Sequence, residues 1–220
     1  MAATVYNNRA YVIGGLDKQV GIECQVYTSE NNSWLFEFPS LPKGRFNSVC
    51  FVYRDSLYVF GGTDNSSNMN EIVRYDLSTQ NSGEWTTIAK VNEANQRGGV
   101  AFVVEDKVYA GLGEKSNGIR NGFYVSSDSL TKWELIPSIP AQLGVISSGV
   151  YDEQKKSFFM IDNDGKIWEY NLTTEQWTSR SLWIRMKNYH MFMLDGSIYI
   201  LGQDIYQKNK FTVYNPIWDN

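Results

Sequence analysis

The chain has 220 residues, a net charge of −4, 42% hydrophobic and 15% aromatic residues. The mild acidity argues against a nucleic-acid or membrane-surface binder, which needs a basic excess. Two cysteines and one histidine exclude a disulfide scaffold, most metalloenzymes, and any Ser–His–Asp or Cys–His enzyme that does not use His190.

The elements fall into a repeat. In chain order, the first segment reads ATVYNNRAYVIGG and, after a loop, CQVYTSENNSW. The second reads RFNSVCFVYRDSLYVFGG and then EIVRYDLSTQNSGEWTTI; the third reads RGGVAFVVEDKVYAGLG and then NGFYVSSDSLTKWELIP. The fourth reads SSGVYDEQKKSFFMID and then KIWEYNLTTEQWTS; the fifth reads RMKNYHMFMLDGSIYILG and then FTVYNP. Hairpin patterns turn at Arg54-Asp55, Glu105-Asp106 and Asp195-Gly196, the last a dipeptide that suits a tight two-residue turn. A third strand carries a tyrosine, a polar turn follows, and a tryptophan opens a fourth strand at Trp34, Trp85, Trp133 and Trp177. No helical periodicity of useful length is present.

Two aromatic ladders set the period. One aromatic anchors each second strand, at Tyr11, Tyr58, Tyr109, Phe159 and Tyr199, spaced by 40–51 residues. A second tyrosine follows at Tyr27, Tyr75, Tyr124, Tyr170 and Tyr214, spaced by 44–49 residues. A four-stranded sheet this small cannot bury both faces alone, so such sheets stack radially and cover each other. The glycine pairs Gly14-Gly15 and Gly61-Gly62 suit strand ends that pack closely against the next sheet. Tyrosine and tryptophan supply large, stiff contact area between sheets.

Arg45, Tyr58-Val59-Phe60-Gly61-Gly62, Arg74-Tyr75-Asp76 and Trp85 together resemble the kelch-repeat β-propeller family. The resemblance runs through nearly the whole chain, although the double glycine becomes Leu112-Gly113, Asp162-Asn163 and Gly202-Gln203 in the later repeats. It implies one all-β propeller over residues 1–220, with blades at about 1–42, 43–92, 93–140, 141–182 and 183–220. Trp218 follows Tyr214 too closely to hold the repeat tryptophan's place, so the last blade is expected to have three strands. Two readings follow: five blades with a short last one, which is favoured, or a piece of a longer chain.

The loops between second and third strands gather on one face of a propeller, where binding function concentrates. On them stand Asn65, Lys115, Arg120, Tyr206 and Lys208 as expected partner contacts. Arg45, Arg97 and Arg185 open three innermost strands, and the resemblance places that position around the central channel. Such arginines suit bidentate recognition of carboxylate or phosphate; the competing reading gives them to backbone carbonyls and acidic neighbours. His190 reads as packed or channel-lining rather than catalytic, since nothing in the sequence sets a carboxylate or nucleophile beside it. The run Asp162-Asn163-Asp164-Gly165 fails the spacing of a helix-flanked calcium loop and reads as a tight turn. Residues 126–133 match a sialidase-type Asp-box except for Leu130, which again implies a structural turn. Cys24 and Cys50 read as small core residues.

No segment has the basic and apolar regions of a secretory leader, and no apolar run nears the ~18 residues of a membrane span. The expectation is a cytoplasmic, cofactor-free, non-catalytic module that binds a protein partner, with no nucleic acid or membrane involved. The resemblance adds a specific role, since kelch propellers in longer BTB-containing chains recruit substrates to cullin ubiquitin ligases. The alternative is a small-ligand or glycan-binding or hydrolytic propeller with its site at the channel mouth. The copper oxidases among kelch propellers use several histidines, which this chain does not supply, and the iron-binding specifier proteins use a Glu…Asp…His constellation whose spacing does not end at His190.

Overall fold

A computed structural model describes the chain except residues 36, 80–81, 119–121, 128, 138, 142, 182–185, 205 and 215–220. It is all-β, a propeller of five antiparallel sheets, one for each sequence repeat. The chain divides into two compact units, Met1–Leu135 and Ile136–Asn220.

The first unit holds three four-stranded sheets. Sheet one is β1 (Ala2–Tyr6), β2 (Arg9–Ile13), β3 (Cys24–Thr28) and β4 (Ser33–Leu35). Sheet two is β5 (Val49–Tyr53), β6 (Ser56–Phe60), β7 (Glu71–Asp76) and β8 (Thr86–Lys90). Sheet three is β9 (Val100–Val104), β10 (Lys107–Gly111), β11 (Phe123–Ser126) and β12 (Glu134–Leu135). The second unit holds β13 (Ile146–Asp152), β14 (Ser157–Asp162), β15 (Lys166–Asn171) and β16 (Gln176–Ser181) in sheet four. Sheet five has three strands among the described residues, β17 (Lys187–Leu194), β18 (Ser197–Gln203) and β19 (Asn209–Tyr214). No helix among the described residues is long and apolar enough to cross a membrane.

The expected turns form where the sequence sets them. Arg54 and Asp55 both take positive φ, as do Asn7 and Asn8 and the pair Asp195-Gly196. Two successive left-handed residues give a turn whose twist matches the flanking strands. Tyr53 therefore pairs with Ser56, and Leu194 with Ser197. The tryptophans are less uniform than the repeat suggests. Trp34 and Trp177 lie inside β4 and β16, but β8 and β12 start one residue after Trp85 and Trp133. The side chains explain it: Trp85 Nε1 donates to Pro39 O at 2.8 Å and Trp133 Nε1 to Leu130 O at 2.9 Å, which ties both indoles to loops.

Both faces of sheet two are covered. On one face Cys50, Leu57, Val59, Val73 and Tyr75 pack with Tyr11, Ile13, Cys24 and Val26 of sheet one. On the other, Phe51, Tyr58, Phe60 and Ile72 pack with Val108 and Ala110 of sheet three. In the second unit, Phe159, Ile161 and Ile167 of sheet four meet Met191, Ile198 and Ile200 of sheet five. Each large apolar side chain buried in this way contributes about 1.5–3 kcal/mol. Burial pushes the thiols of Cys24 and Cys50 up to about 12, which suits the core role expected of them.

The glycine pairs fasten neighbouring sheets. Gly15 N donates to Arg45 O, and Gly62 N to Gln96 O, both at 2.9 Å. Gly61 has φ +63°, and a Cβ there would lie 2.5 Å from Ala94 O and 2.6 Å from Gln96 O. Gly61→Ala therefore meets unyielding backbone as well as strain of roughly 1–3 kcal/mol. Gly98 has a similar φ, +71°, but nothing within 4 Å, so Gly98→Ala meets the strain alone. Urea denaturation is expected to show a clearly larger drop in midpoint for Gly61→Ala than for Gly98→Ala.

Candidate functional site

The loops after the second strands of the first unit are anchored at their bases and exposed at their tips. In the loop after β6, Met69 is buried while Asn65 is exposed, with φ 78°. Asp64 pins the loop: its Oδ1 accepts from Ser66 N and Ser67 N, each at 3.0 Å. Lys43 lies 2.8 Å from its other oxygen. That ammonium, with the Ser66 and Ser67 donors, holds the Asp64 carboxyl well below the usual carboxylate range. Asn68 Nδ2 donates to Glu114 O at 2.9 Å and so ties this loop to the one after β10. There Lys115 is half-buried, its Nζ 3.2 Å from the Tyr124 hydroxyl, beside a small pocket of about 270 Å³ with Ser116 and Asn117.

The second unit repeats the device. In the loop after β18, Asp204 Oδ1 accepts from Tyr206 N and Lys208 N, both at 2.9 Å, and Lys210 lies 3.6 Å from Oδ2. The Lys208 amide leads the causes that hold the Asp204 carboxyl low. Tyr206 is 76% exposed, and Lys208 is exposed beside it. Asp162 does the same for the short loop after β14, accepting from Asp164 N and Lys166 N, which makes the Asp-Asn-Asp-Gly run the tight turn expected.

The arginines do not share one position. Arg45 is completely buried; its NH1 donates to Gly61 O at 3.2 Å and its NH2 reaches Glu71 at 3.3 Å. Burial pushes its pKa down and Glu71 pulls it back up. Phe46 pairs with Thr63, just past the glycines of sheet two, and Arg97 pairs with Glu114 at the matching place in sheet three. Arg97 thus corresponds to Phe46, and the residue matching Arg45 is Gln96. Gln96 is also buried, and its Oε1 accepts from Gly113 N at 2.7 Å. Arg97 projects outward, half-exposed, 3.4 Å from Glu114. Arg120 and Arg185 lie outside the described residues.

His190 is exposed on β17 and lines a pocket of about 650 Å³ with Asn163, Asn188, Tyr189, Leu201, Gln203 and Asn209. Its neighbours are carboxamides: Asn188 Nδ2 donates to Gln203 Oε1 at 3.1 Å, and Gln203 Nε2 to Asn209 Oδ1 at 3.4 Å. At the other end of the strands, a groove of about 500 Å³ is lined by β1, β5 and β9. Two tyrosines missed by sequence reasoning link sheets there: the Tyr6 hydroxyl bonds the Asp55 carboxylate, and Tyr53 donates to Asp106 O at 3.0 Å. Their sequence signal is a tyrosine closing the first strand, directly before a two-residue turn.

Five repeated antiparallel sheets with such fastened loops define a β-propeller. Residues 44–92 match the family described as the Kelch motif. The chain is 26% identical over 161 residues to kelch-like protein 36 of Mus musculus, covering 68% of this chain and 25% of that one. It is 25% identical over 227 residues to kelch repeat and BTB domain-containing protein 1 of Ectromelia virus (strain Moscow), covering 97% of this chain and 39% of the relative. The chain thus spans between a quarter and two fifths of these relatives' lengths. The solved structure of YjhT superposes with a TM-score of 0.77 at 16% identity, covering 97% of this chain and 83% of that one, which supports the fold.

Removing the Arg45 guanidinium leaves Gly61 O and Glu71 without their buried partner, so Arg45→Ala is expected to cost about 3 kcal/mol or more. Arg97→Ala, at an exposed ion pair, is expected to stay within about 0.5 kcal/mol. Thermal denaturation of the two variants side by side reads the difference.

Proposed function

We propose that this propeller is a non-catalytic, cytoplasmic protein-interaction module whose partner binds the loops that follow the second strands. The observation that carries the reading is the pinning of these loops by Asp64 and Asp204, which leaves Asn65, Tyr206 and Lys208 exposed on short, hydrogen-bonded turns. Loops fixed before binding lose little conformational entropy when a partner arrives. Tyr206 offers the large, rigid, amphipathic surface typical of an interface anchor. Lys115 and Lys208 supply charge at the rim, and Arg97 adds a half-exposed guanidinium on the first unit. Arg45 supports this surface from beneath by holding the strand ends together. Arg120 and Arg185 stay in the proposed contact set on their sequence positions alone.

The names of the viral relatives pair kelch repeats with a BTB domain. In an assembly of that kind, this propeller would receive the substrate of a cullin ubiquitin ligase. A small-ligand reading draws on the pocket around His190, whose carboxamides suit a neutral polar molecule. Among the described residues its polar lining is Asn163, Asn188, Gln203 and Asn209 with Tyr189 and His190, a set that suits binding of such a molecule.

Affinity capture with quantitative mass spectrometry tests the proposal. Partners of the wild-type chain are expected to fall by roughly tenfold or more with Tyr206→Ala plus Lys208→Ala, or with Asn65→Ala plus Lys115→Ala. They are expected to persist with Glu153→Ala plus Gln154→Ala, on a turn at the other end of the strands. Equal loss from all three variants, or none from the first two, would defeat it.

A further inference from the structure

Two neighbouring junctions of the first unit, sheet one to sheet two and sheet two to sheet three, correspond residue by residue. Phe46 pairs with Thr63 and Arg97 with Glu114, so Asp64 matches Lys115, and Lys43 matches Ala94. At the first junction Lys43, on the connection between the sheets, lies 2.8 Å from Asp64 on the loop after β6. At the second, the connection carries the buried Ala94 instead of a cation, and the loop after β10 carries Lys115 instead of a carboxylate. Sheet five keeps the carboxylate: Lys187 pairs with Gln203, which sets Asp204 at the same loop position.

Lys115 is therefore one half of an ion pair at a place where the preceding junction has both halves. Among the described residues no carboxylate lies within ion-pair distance of it, and the adjacent Glu114 is engaged by Arg97 at 3.4 Å. Its Nζ is held 3.2 Å from the Tyr124 hydroxyl and 5.7 Å from the centre of that ring. Asn92, Asn95, Ser116 and Asn117 line the pocket with it, and all five belong to the first unit. The lining thus has one positive charge, no negative one, and neutral side chains that each carry a hydrogen-bond donor. At about 270 Å³ the pocket falls below the roughly 300–1,000 Å³ of small-molecule sites and has room for a single side chain. The Asn68 bond to Glu114 O fixes the base of the loop before anything binds.

We propose that this pocket receives the carboxylate of an aspartate or glutamate side chain of the partner protein, which completes at Lys115 the ion pair that Lys43 and Asp64 make within the chain. The proposal rests on the reading of these loops as the partner-binding surface. The carboxylate accepts from the ammonium and from the carboxamide and hydroxyl donors around it, and charge-assisted bonds of this kind are about twice as strong as neutral ones. One ammonium among neutral donors suits a monoanion better than a phosphate group, whose charge of about −1.5 to −2 calls for more than one cation.

Titration of the isotope-labelled full chain with N-acetylglutamate amide, its glutamine counterpart and its phosphoserine counterpart, followed by backbone amide chemical shifts, tests the pocket without a partner. The glutamate compound is expected to shift the amides of Asn92, Asn95, Lys115 and Ser116 saturably. The glutamine compound is expected to bind at least roughly tenfold more weakly, the factor for losing one charged hydrogen bond. Lys115→Gln is expected to remove the preference for glutamate, and Asn92→Asp, which adds a carboxylate to the lining, to abolish binding of the glutamate compound. Unchanged amide shifts in sheet one verify that both variants fold. Equal binding of the glutamine compound, undiminished glutamate binding by Lys115→Gln, tighter binding of the phosphoserine compound, or no shift at these residues overturns the proposal. Affinity capture with Tyr206→Ala plus Lys208→Ala tests the loop surface by itself, so the two readings fail separately.

Discussion

A small antiparallel sheet with apolar side chains on both faces has no stable existence in water until both faces are covered. Sheet two shows the constraint and its solution. Val59, Val73 and Tyr75 have no exposed surface, nor does Ile72 on the opposite face, and the cover comes from sheet one and sheet three respectively. The alternation of the strands sends successive side chains to opposite neighbours, so one strand such as β6 serves two cores at once. The recurrence of aromatic side chains follows, because each interface needs stiff groups that fill the same space.

Close packing of sheets creates a second problem at the strand ends, where backbone must pass backbone. The glycine pairs answer it by turning without a Cβ and donating to the start of the following sheet. Arg45 and Gln96 answer it from the other side, each spending side-chain polar groups on the strand ends of its own sheet. Immediately beyond these fastenings the loops begin, and Asp64 and Asp204 set their shape. The scaffold therefore fixes the bases of the loops while leaving their tips free to differ.

Much of this was legible in the sequence because it is written twice, once in spacing and once in residue type. The strands, the Arg54-Asp55 and Asp195-Gly196 turns, and the three-stranded last sheet follow from ladders that tolerate variation in loop length. The site was harder to read. Arg45 and Arg97 look alike as residues that open a strand, yet Arg45 lies four positions before Val49 while Arg97 lies three before Val100. Counting back four from Val100 reaches Gln96, a signal that residue identity obscured. The burial of Arg45 depends on Glu71 and Gly61 arriving from elsewhere in sheet two, which no local pattern states. The Tyr6–Asp55 and Tyr53–Asp106 links escaped notice for the same reason, since their partners belong to neighbouring sheets.

The claim that sheets stabilise each other face to face is tested most directly at Tyr75, fully buried, 4.7 Å from the Phe38 ring and 5.5 Å from the Trp85 ring. Tyr75→Ala should cost about 3–5 kcal/mol, as for other large core aromatics. Native-state hydrogen exchange on this variant should show the amides of β2 and β3 in sheet one losing protection together with those of β6 and β7. Loss confined to sheet two, with sheet one protected as in the wild type, would contradict the account.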